Sequence, residues 1–439
     1  MYKTLKAPLS LQIEVTGRCN IKCIHCYNFW KGDEKDKCHI NMMTKETAEK
    51  LFDEILRYGV KSLVITGGEP LLNLDIVYMI LDFASKNSIH ITMNSNLICL
   101  NDEVALKLRE LGLKNILTSF MGSCPEIYET VSGVKGSFEK AVSGISCALK
   151  NGFNVTCNMV TTKLNVHDIY STAKFLKGIG VNGVCMTPAC APAGCVDFTK
   201  LLLSKEEIVF AYNELLRASD ELNVNVDTLM PLPHCFVYNL IKVPEFIHRK
   251  CGAGVLFAMI SSGGIIRPCP NTDIEFGSVV DDGLEATWKR MTSFRSGERI
   301  PNECKACKMF ATCRGGCRYR AENVTGLIDG HDPLTEVESV QSSLALIKSN
   351  LKMYNLHKAI PQDDFLIFEN VIVRDEDFGA VVIGASNHWV LVNNEAAKII
   401  KECVKERVIS TNSPLIAKYQ KFFLRLLNRK ILLLKSRDK

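Results

Sequence analysis

Cys19-Asn-Ile-Lys-Cys23-Ile-His-Cys26 puts three thiols on one short loop, with three and then two residues between them. Thiolates spaced this way can wrap one corner of an iron-sulfur cubane and leave its fourth iron without a protein ligand. An open iron needs a chelator from outside the chain. Thr66-Gly67-Gly68-Glu69-Pro70 suits such a guest: Gly67 and Gly68 let backbone come close to a ligand, and Glu69 can accept a hydrogen bond from an amino group. A second constellation lies downstream. Cys251 is followed by twelve residues, Gly264, four residues and Cys269, and then by Cys304-x2-Cys307-x5-Cys313-x3-Cys317. Structural zinc is the plainer alternative for both groups, but zinc sites usually close with four ligands, and the first group offers three.

The Cys19 to Cys26 loop and the Gly67-Gly68 segment together resemble the radical SAM superfamily, from Leu11 to about Met230. The resemblance implies S-adenosylmethionine chelating the open iron of a 4Fe-4S cluster held by Cys19, Cys23 and Cys26, with reductive cleavage to a 5'-deoxyadenosyl radical. It further implies that Tyr27 lies near the adenine and that Glu69 holds the methionine amine in a seat formed with Gly67, Gly68 and Pro70. Ser119, in Leu117-Thr118-Ser119-Phe120, would face the ribose; Asn94 and Asn158, at other strand ends, are further carry-overs. The chain departs from the family at Met121, where relatives often carry an aspartate.

The downstream cysteines resemble the SPASM extension, which carries two auxiliary 4Fe-4S clusters and is typical of enzymes acting on peptides and proteins. By resemblance the first auxiliary cluster uses Cys235, Cys251, Cys269 and Cys317, and the second Cys304, Cys307 and Cys313. The family usually supplies one more cysteine after the quartet. Here His331-Asp332-Pro333-Leu334-Thr335-Glu336 follows, with no cysteine until Cys403. The second cluster is therefore open at one iron, closed by Asp332, His331 or Glu336, or smaller.

Cys190-Ala-Pro-Ala-Gly-Cys195 follows the sixth strand of the expected barrel, at its mouth. A thiol at Cys190 or Cys195 can donate a hydrogen atom to a substrate radical or bind a labile iron; two packed loop thiols are the plainer reading. Cys38, Cys99, Cys124, Cys147, Cys157, Cys185 and Cys403 lie in or beside apolar runs and read mostly as buried small hydrophobes. Near the end, Val390-Leu391-Val392-Asn393-Asn394-Glu395-Ala396-Ala397 resembles the PqqD-like peptide chaperones, or RiPP recognition elements, which imply leader-peptide binding by strand addition. A generic winged helix or a capping domain is the alternative.

The elements that must position these groups alternate along the first half of the chain. Strands are expected at Leu11 to Val15, Ser62 to Thr66, Ile89 to Met93, Asn115 to Ser119, Asn154 to Thr161 and Asn182 to Thr187, each followed by a helical pattern. After Thr44, Ala48, Leu51, Phe52, Ile55 and Leu56 make one apolar stripe before a Gly59 stop. The fold class is α/β, a partial (β/α)6 TIM-like barrel with its chemistry at the carboxyl ends of the strands. Three domains are expected: a radical SAM core at 1–230, a Cys-rich SPASM extension at 231–350, and a small α+β winged-helix-like domain at 360–439. In the last, Phe365 to Val373, Ala380 to Ile383 and Trp389 to Val392 read as strands, and Glu395 to Glu406 and Leu415 to Leu427 as helices.

Composition narrows the function. The chain has 439 residues, 47% hydrophobic and 23% charged, which are globular values. A net charge of +5 is too mild and dispersed for a nucleic-acid surface. No apolar run is long enough to span a bilayer and no signal-peptide core is evident, so a cytoplasmic protein is expected, without nucleic-acid or membrane partners. Nineteen cysteines in a reducing compartment then argue for metal or thiol chemistry rather than disulfides. The expected activity is that of a radical SAM/SPASM maturase forming a thioether or carbon-carbon crosslink in a ribosomally made precursor peptide, with flavodoxin or ferredoxin as electron donor. Its rivals are a sulfatase-type Cys/Ser oxidising maturase, a peptide epimerase, a porphyrin side-chain decarboxylase and, outside catalysis, an iron-sulfur electron carrier.

Overall fold

The computed structural model describes residues 3–28, 42–192, 196–351, 359–384 and 388–435. They form two compact units, 1–347 and 348–439. No helix among the described residues is long and apolar enough to cross a membrane.

The first unit is built on β1 (Ser10–Glu14), β2 (Ser62–Thr66), β3 (His90–Asn94), β4 (Asn115–Ser119), β5 (Asn154–Thr161), β6 (Gly183–Pro188), β7 (Asn225–Asp227), β8 (Phe257–Ile260) and β9 (Ile266–Arg267). They join in one sheet of order β7-β6-β5-β4-β3-β2-β1-β8-β9, parallel from β7 through β8 and closed by the antiparallel β8–β9 pair. Parallel neighbours need crossovers. These carry α1 (Lys45–Arg57), α2 (Leu74–Lys86), α3 (Asp102–Glu110), α4 (Pro125–Ser132), α5 (Ser137–Lys150), α6 (Ile169–Gly178) and α7 (Lys205–Leu222). The arrangement is a partial TIM-like barrel, as the alternating pattern implies.

Local chemistry sets the helix ends. Thr44 accepts the Thr47 N–H at 3.1 Å to start α1, and Ser204 with Glu207 forms a reciprocal capping box on α7. Ala48, Leu51 and Ile55 of α1 are buried, and Phe52 stacks on Phe83 with ring centroids 4.0 Å apart. Leu56, expected in the same stripe, is instead 50% exposed, because the buried arc closes at Ile55. Gly59 ends the turn with φ of 62°, a left-handed conformation glycine adopts freely.

The two faces of the sheet differ in character. Leu11, Ile13, Leu63, Ile65, Ile91, Met93, Ile116 and Val155 are buried in register on the face that packs with the helices. Alternation places Glu14, Thr66, Asn94, Ser119 and Asn158 on the opposite face, at or near the carboxyl ends of five adjacent strands. Polar side chains thus collect where parallel barrels hold their chemistry.

The second unit holds two three-stranded antiparallel sheets. One has the order β14 (Val408–Ser410), β10 (Phe365–Ile367), β15 (Leu433–Lys435), and the other β11 (Ile372–Glu376), β12 (Gly379–Ile383), β13 (Trp389–Val392). The single strand expected over Phe365 to Val373 is broken in two, with Asn370 at φ 63° in the turn. The helix expected over Leu415 to Leu427 is likewise two, Pro414–Lys418 and Gln420–Asn428. Leu366, Phe368, Val382, Ile400, Cys403, Phe423 and Leu426 form this unit's own core.

Candidate active site and auxiliary cysteine centres

The Cys19 to Cys26 loop leaves the end of β1 and is clamped from two sides. Thr16 and Arg18 carbonyls accept the N–H groups of Gly68 (2.7 Å) and Glu69 (2.8 Å), while Lys22 and Ile24 donate to the Ser132 (3.1 Å) and Val131 (3.0 Å) carbonyls at the end of α4. Cys19, Cys23 and Cys26 are half-buried, so their thiols are neither sealed in core nor freely solvated. The Cys26 N–H donates to the Cys23 carbonyl at 3.2 Å, which curls the loop at its last two thiols. Asn96 Nδ2 lies 3.9 Å from Cys19 Sγ and donates to Asn20 Oδ1 at 2.6 Å.

The glycines carry the close approach. A Cβ on Gly68 would stand 2.1 Å from the Arg18 carbonyl oxygen, and one on Gly67, whose φ is +151°, would stand 2.4 Å from that of Thr16. Only two bare backbones can meet here. Glu69 is fully buried, and its carboxylate accepts from Ser95 Oγ (2.7 Å), Asn96 N (2.7 Å) and Leu71 N (3.0 Å). Burial pushes its pKa up to about 6, while those three donors hold it down. A carboxylate has about four acceptor positions, so one is left for a guest amine. Pro70 is buried at the start of the short helical turn that follows.

Ser95 and Asn96 were not among the sequence-derived site residues. Their signal was a polar run, Asn94-Ser95-Asn96, directly beyond the carboxyl end of a strand. Ser119 and Asn94 are half-buried on the polar face. Asn158 is buried beside Ser119, and its Oδ1 accepts from Thr187 Oγ1 at 2.8 Å. Tyr27 is half-buried; burial raises its pKa, as do the neighbouring Glu14 and Cys26, and its hydroxyl is hydrogen-bonded to Thr66. Glu14 pairs with Arg267 Nη2 at 2.9 Å through Oε2, and its buried Oε1 has no hydrogen-bond partner among the described residues. Burial raises Glu14 to about 7 against the pull of that guanidinium. Three half-exposed thiols, a glycine cradle and an unmatched acceptor fit a cluster with one iron open to a polar, amine-bearing ligand.

The downstream cysteines form two groups. Cys235, Cys304, Cys307 and Cys313 line one pocket. Backbone N–H groups reach three of those sulfurs: Glu336 to Cys235 (3.2 Å), His234 to Cys313 (3.2 Å) and Met309 to Cys307 (3.4 Å). Cys251, Cys269 and Cys317 are electrostatic neighbours in a second group, where Cys269 sulfur accepts from the Asn271 and Thr272 backbone and Cys317 Sγ from Arg320 N at 3.5 Å. Donors aimed at sulfur favour thiolates, as cluster ligands require. Burial pushes Cys235, Cys269 and Cys304 up to about 12 and Cys317 to about 11. Without a metal these thiols stay neutral at physiological pH. No three His, Cys, Asp or Glu side chains among the described residues converge on a single metal ion. A cubane binds each thiolate to a separate iron and needs a wider spacing.

Asp332, one candidate for closing the second cluster, is 1% exposed and committed elsewhere: it takes both Nη2 and Nε of Arg320, the Cys317 N–H at 2.8 Å and the Leu334 N–H at 3.0 Å. Glu336 accepts from Asn239, Ser339 and Lys205. His331 Nδ1 lies 4.0 Å from Cys304 Sγ, and its Nε2 lies 3.2 Å from Glu303. Cys190 is half-buried 3.9 Å from Met230 Sδ, and Cys195 lies outside the described residues. Of the other cysteines, Cys157, Cys185 and Cys403 are buried as expected, Cys124 and Cys147 are half-buried and Cys99 is exposed, its sulfur accepting from Asn20 Nδ2 at 3.1 Å; Cys38 lies outside the described residues.

The chain is similar to several known proteins. Residues 13–176 match the Radical SAM superfamily. The AdoMet-dependent heme synthase of Methanosarcina barkeri is 25% identical over 344 residues, covering 74% of this chain and 95% of that protein. The mycofactocin maturase MftC of Mycolicibacterium smegmatis is 26% identical over 340 residues, covering 75% of this chain and 83% of that protein. Among solved structures, native anSMEcpe with bound AdoMet and the Cp18Cys peptide shares the fold with a TM-score of 0.61 at 19% identity, over 79% of this chain and 98% of that one. Residues 13–176 are a radical SAM domain, and the chain is a radical S-adenosylmethionine enzyme, with S-adenosylmethionine and a 4Fe-4S cluster as cofactors, homologous to the SPASM-type maturases.

Proposed function

We infer that the chain is a maturase that modifies a ribosomally made precursor peptide and forms a thioether or carbon-carbon crosslink. The observation that carries this reading is the radical SAM site in one chain with a separate compact unit whose two small sheets end, among the described residues, in unpaired edge strands, of which β13 carries an exposed Trp389. An edge strand can take an incoming peptide as a further strand and bind it largely through main-chain groups. The maturase relative supports the same substrate class. Residues 360–439 act as the leader-binding domain in this reading, with the SPASM part at 231–350.

When bound, the cluster and S-adenosylmethionine supply a 5'-deoxyadenosyl radical that takes hydrogen from an unreactive carbon. The chain's residues arrange that event. Cys19, Cys23 and Cys26 would hold the cluster; the Gly67-Gly68 backbone and Glu69 would seat the methionine amine beside Pro70; Tyr27 would lie near the adenine, and Ser119, Asn94 and Asn158 would serve the ribose side. Cys235, Cys251, Cys269, Cys304, Cys307, Cys313 and Cys317 would hold two auxiliary clusters, which would supply a one-electron acceptor for crosslinking, a net two-electron oxidation. A flavodoxin or ferredoxin is the electron donor.

Anaerobically reconstituted protein should cleave S-adenosylmethionine to 5'-deoxyadenosine and methionine under strong reductant, and the Cys19→Ala, Cys23→Ala, Cys26→Ala variant should not. Mass spectrometry of a cognate precursor peptide should show the loss of two hydrogens per crosslink. The heme-synthase relatives favour a second reading, decarboxylation of porphyrin propionates. Carbon dioxide release from an iron porphyrin bearing propionates, with the peptide left unmodified, would establish that reading in place of the first.

A further inference from the structure

The SPASM resemblance puts Cys235 in the first auxiliary cluster and leaves the second one thiolate short. The structure divides these thiols differently. Cys235 shares a pocket with Cys304, Cys307 and Cys313, and the charges of Cys313, Cys307 and Asp332 act on it. The backbone around it is built for that position. Glu336, only four residues past Asp332, spends its N–H on Cys235 Sγ at 3.2 Å, and Ser343 Oγ holds the Cys235 carbonyl at 2.9 Å. The carboxylates of Asp332 and Glu336 are occupied by cations and amides, which removes them as ligands.

The first group is completed from the barrel. Cys190, on the loop after β6, feels the charges of Cys317 and Cys269. Its loop is tied to the helix Arg318–Thr325, which begins directly after Cys317: the Tyr319 hydroxyl donates to the Ala191 carbonyl at 2.7 Å. We propose that the auxiliary clusters are ligated by Cys235, Cys304, Cys307 and Cys313 and by Cys190, Cys251, Cys269 and Cys317. Each cluster then has four thiolates, and no iron is left to an oxygen or nitrogen ligand. Cys190 becomes a ligand rather than a hydrogen-atom donor. One cluster also spans the barrel and the Cys-rich region, since β6 leads directly into the Cys190 loop. This inference rests on the presence of two auxiliary clusters.

The test uses full-length protein lacking the radical cluster through Cys19→Ala, Cys23→Ala and Cys26→Ala, read by iron and sulfide content and by electron paramagnetic resonance. That protein should hold about eight irons. Adding Cys304→Ala, Cys307→Ala and Cys313→Ala should leave about four. In this second background Cys235→Ser should change nothing, whereas Cys190→Ser should release iron or produce a three-iron signal. With Cys251→Ala, Cys269→Ala and Cys317→Ala instead, the two effects should exchange. Disturbance of the Cys251-Cys269-Cys317 cluster by Cys235→Ser overturns the proposal, as does an intact second cluster in Cys235→Ser that is lost in His331→Ala. Should the multiple variants not fold, single Cys235→Ser and Cys190→Ser in the otherwise complete protein serve: they must alter different auxiliary signals, and alteration of one and the same signal overturns the division. Zinc, or no iron, in the protein lacking only the radical cluster would instead remove the two-cluster reading on which the proposal stands.

Discussion

Gly68→Ala tests whether the two clamped backbones are what bring the open iron and its ligand together. An alanine Cβ there would lie 2.1 Å from the Arg18 carbonyl oxygen, 2.5 Å from its carbon and 2.7 Å from the Gly17 oxygen, where contacts under 3.0 Å essentially do not occur. All three neighbours are backbone, so no side chain can swing away. The Cys19 loop or the Glu69 segment must retreat by roughly 0.9 Å, the shortfall between the nearest contact and that limit. Retreat stretches the 2.8 Å hydrogen bond from Glu69 N to the Arg18 carbonyl. Leaving that buried pair unmade costs about 1–3 kcal/mol. A misplacement of about 1 Å between reacting groups costs about 100-fold in rate. The assay is the initial rate of 5'-deoxyadenosine formation at matched iron content, with Gly178→Ala as control, since a Cβ there meets nothing within 4 Å. A Gly68→Ala enzyme that cleaves S-adenosylmethionine as fast as the control would refute the argument from backbone contact.

Three further outcomes follow from the geometry. Glu69 titrates near 6 in the free protein, so a cationic amine that needs its carboxylate should bind more tightly as pH rises toward and past that value. Calorimetry should show S-adenosylmethionine affinity rising up to about pH 6 and levelling above it, with the slope absent in Glu69→Gln; an unchanged slope in the variant would sink the role given to Glu69. Asp332→Asn breaks a buried pair with Arg320 whose loss should cost about 3–5 kcal/mol. Because Asp332 also holds the Cys317 N–H, the thermal midpoint and the auxiliary iron content should fall together, and loss of neither would contradict the packing argument. Deleting residues 363–439 should raise the apparent KM for the peptide strongly while leaving peptide-free cleavage of S-adenosylmethionine intact, because tethering raises local concentration without touching the radical site. A truncated enzyme that modifies peptide as well as the full chain would mean that this unit is not the recognition element.

Much of the candidate site was legible in the order of residues. Cys19, Cys23 and Cys26 sit close in sequence, so one loop suffices to gather them. Gly67 and Gly68 mark a close approach whatever their neighbour turns out to be. The strands were equally readable, since β-branched runs separated by amphipathic stretches permit few topologies: Ser62–Thr66, Asn115–Ser119 and Asn154–Thr161 have the expected bounds. What lay opposite the glycines, the Thr16 and Arg18 carbonyls, depended on parallel pairing of β1 with β2. The anchoring of Glu69 by Ser95 and Asn96 likewise required β3 beside β2, since they are 26 and 27 residues away along the chain. The second unit was less legible because one left-handed residue, Asn370, divides the stretch Phe365 to Val373 into two strands of different sheets. The cysteine partners show the limit most clearly. Spacing marks the thiols as candidate metal ligands, but in the proposed division Cys235 and Cys313 are 78 residues apart, and Cys190 and Cys317 are 127 apart. Which thiols meet is decided by where the barrel and the loops behind it bring the chain back on itself, a property of tertiary contacts that no local pattern encodes.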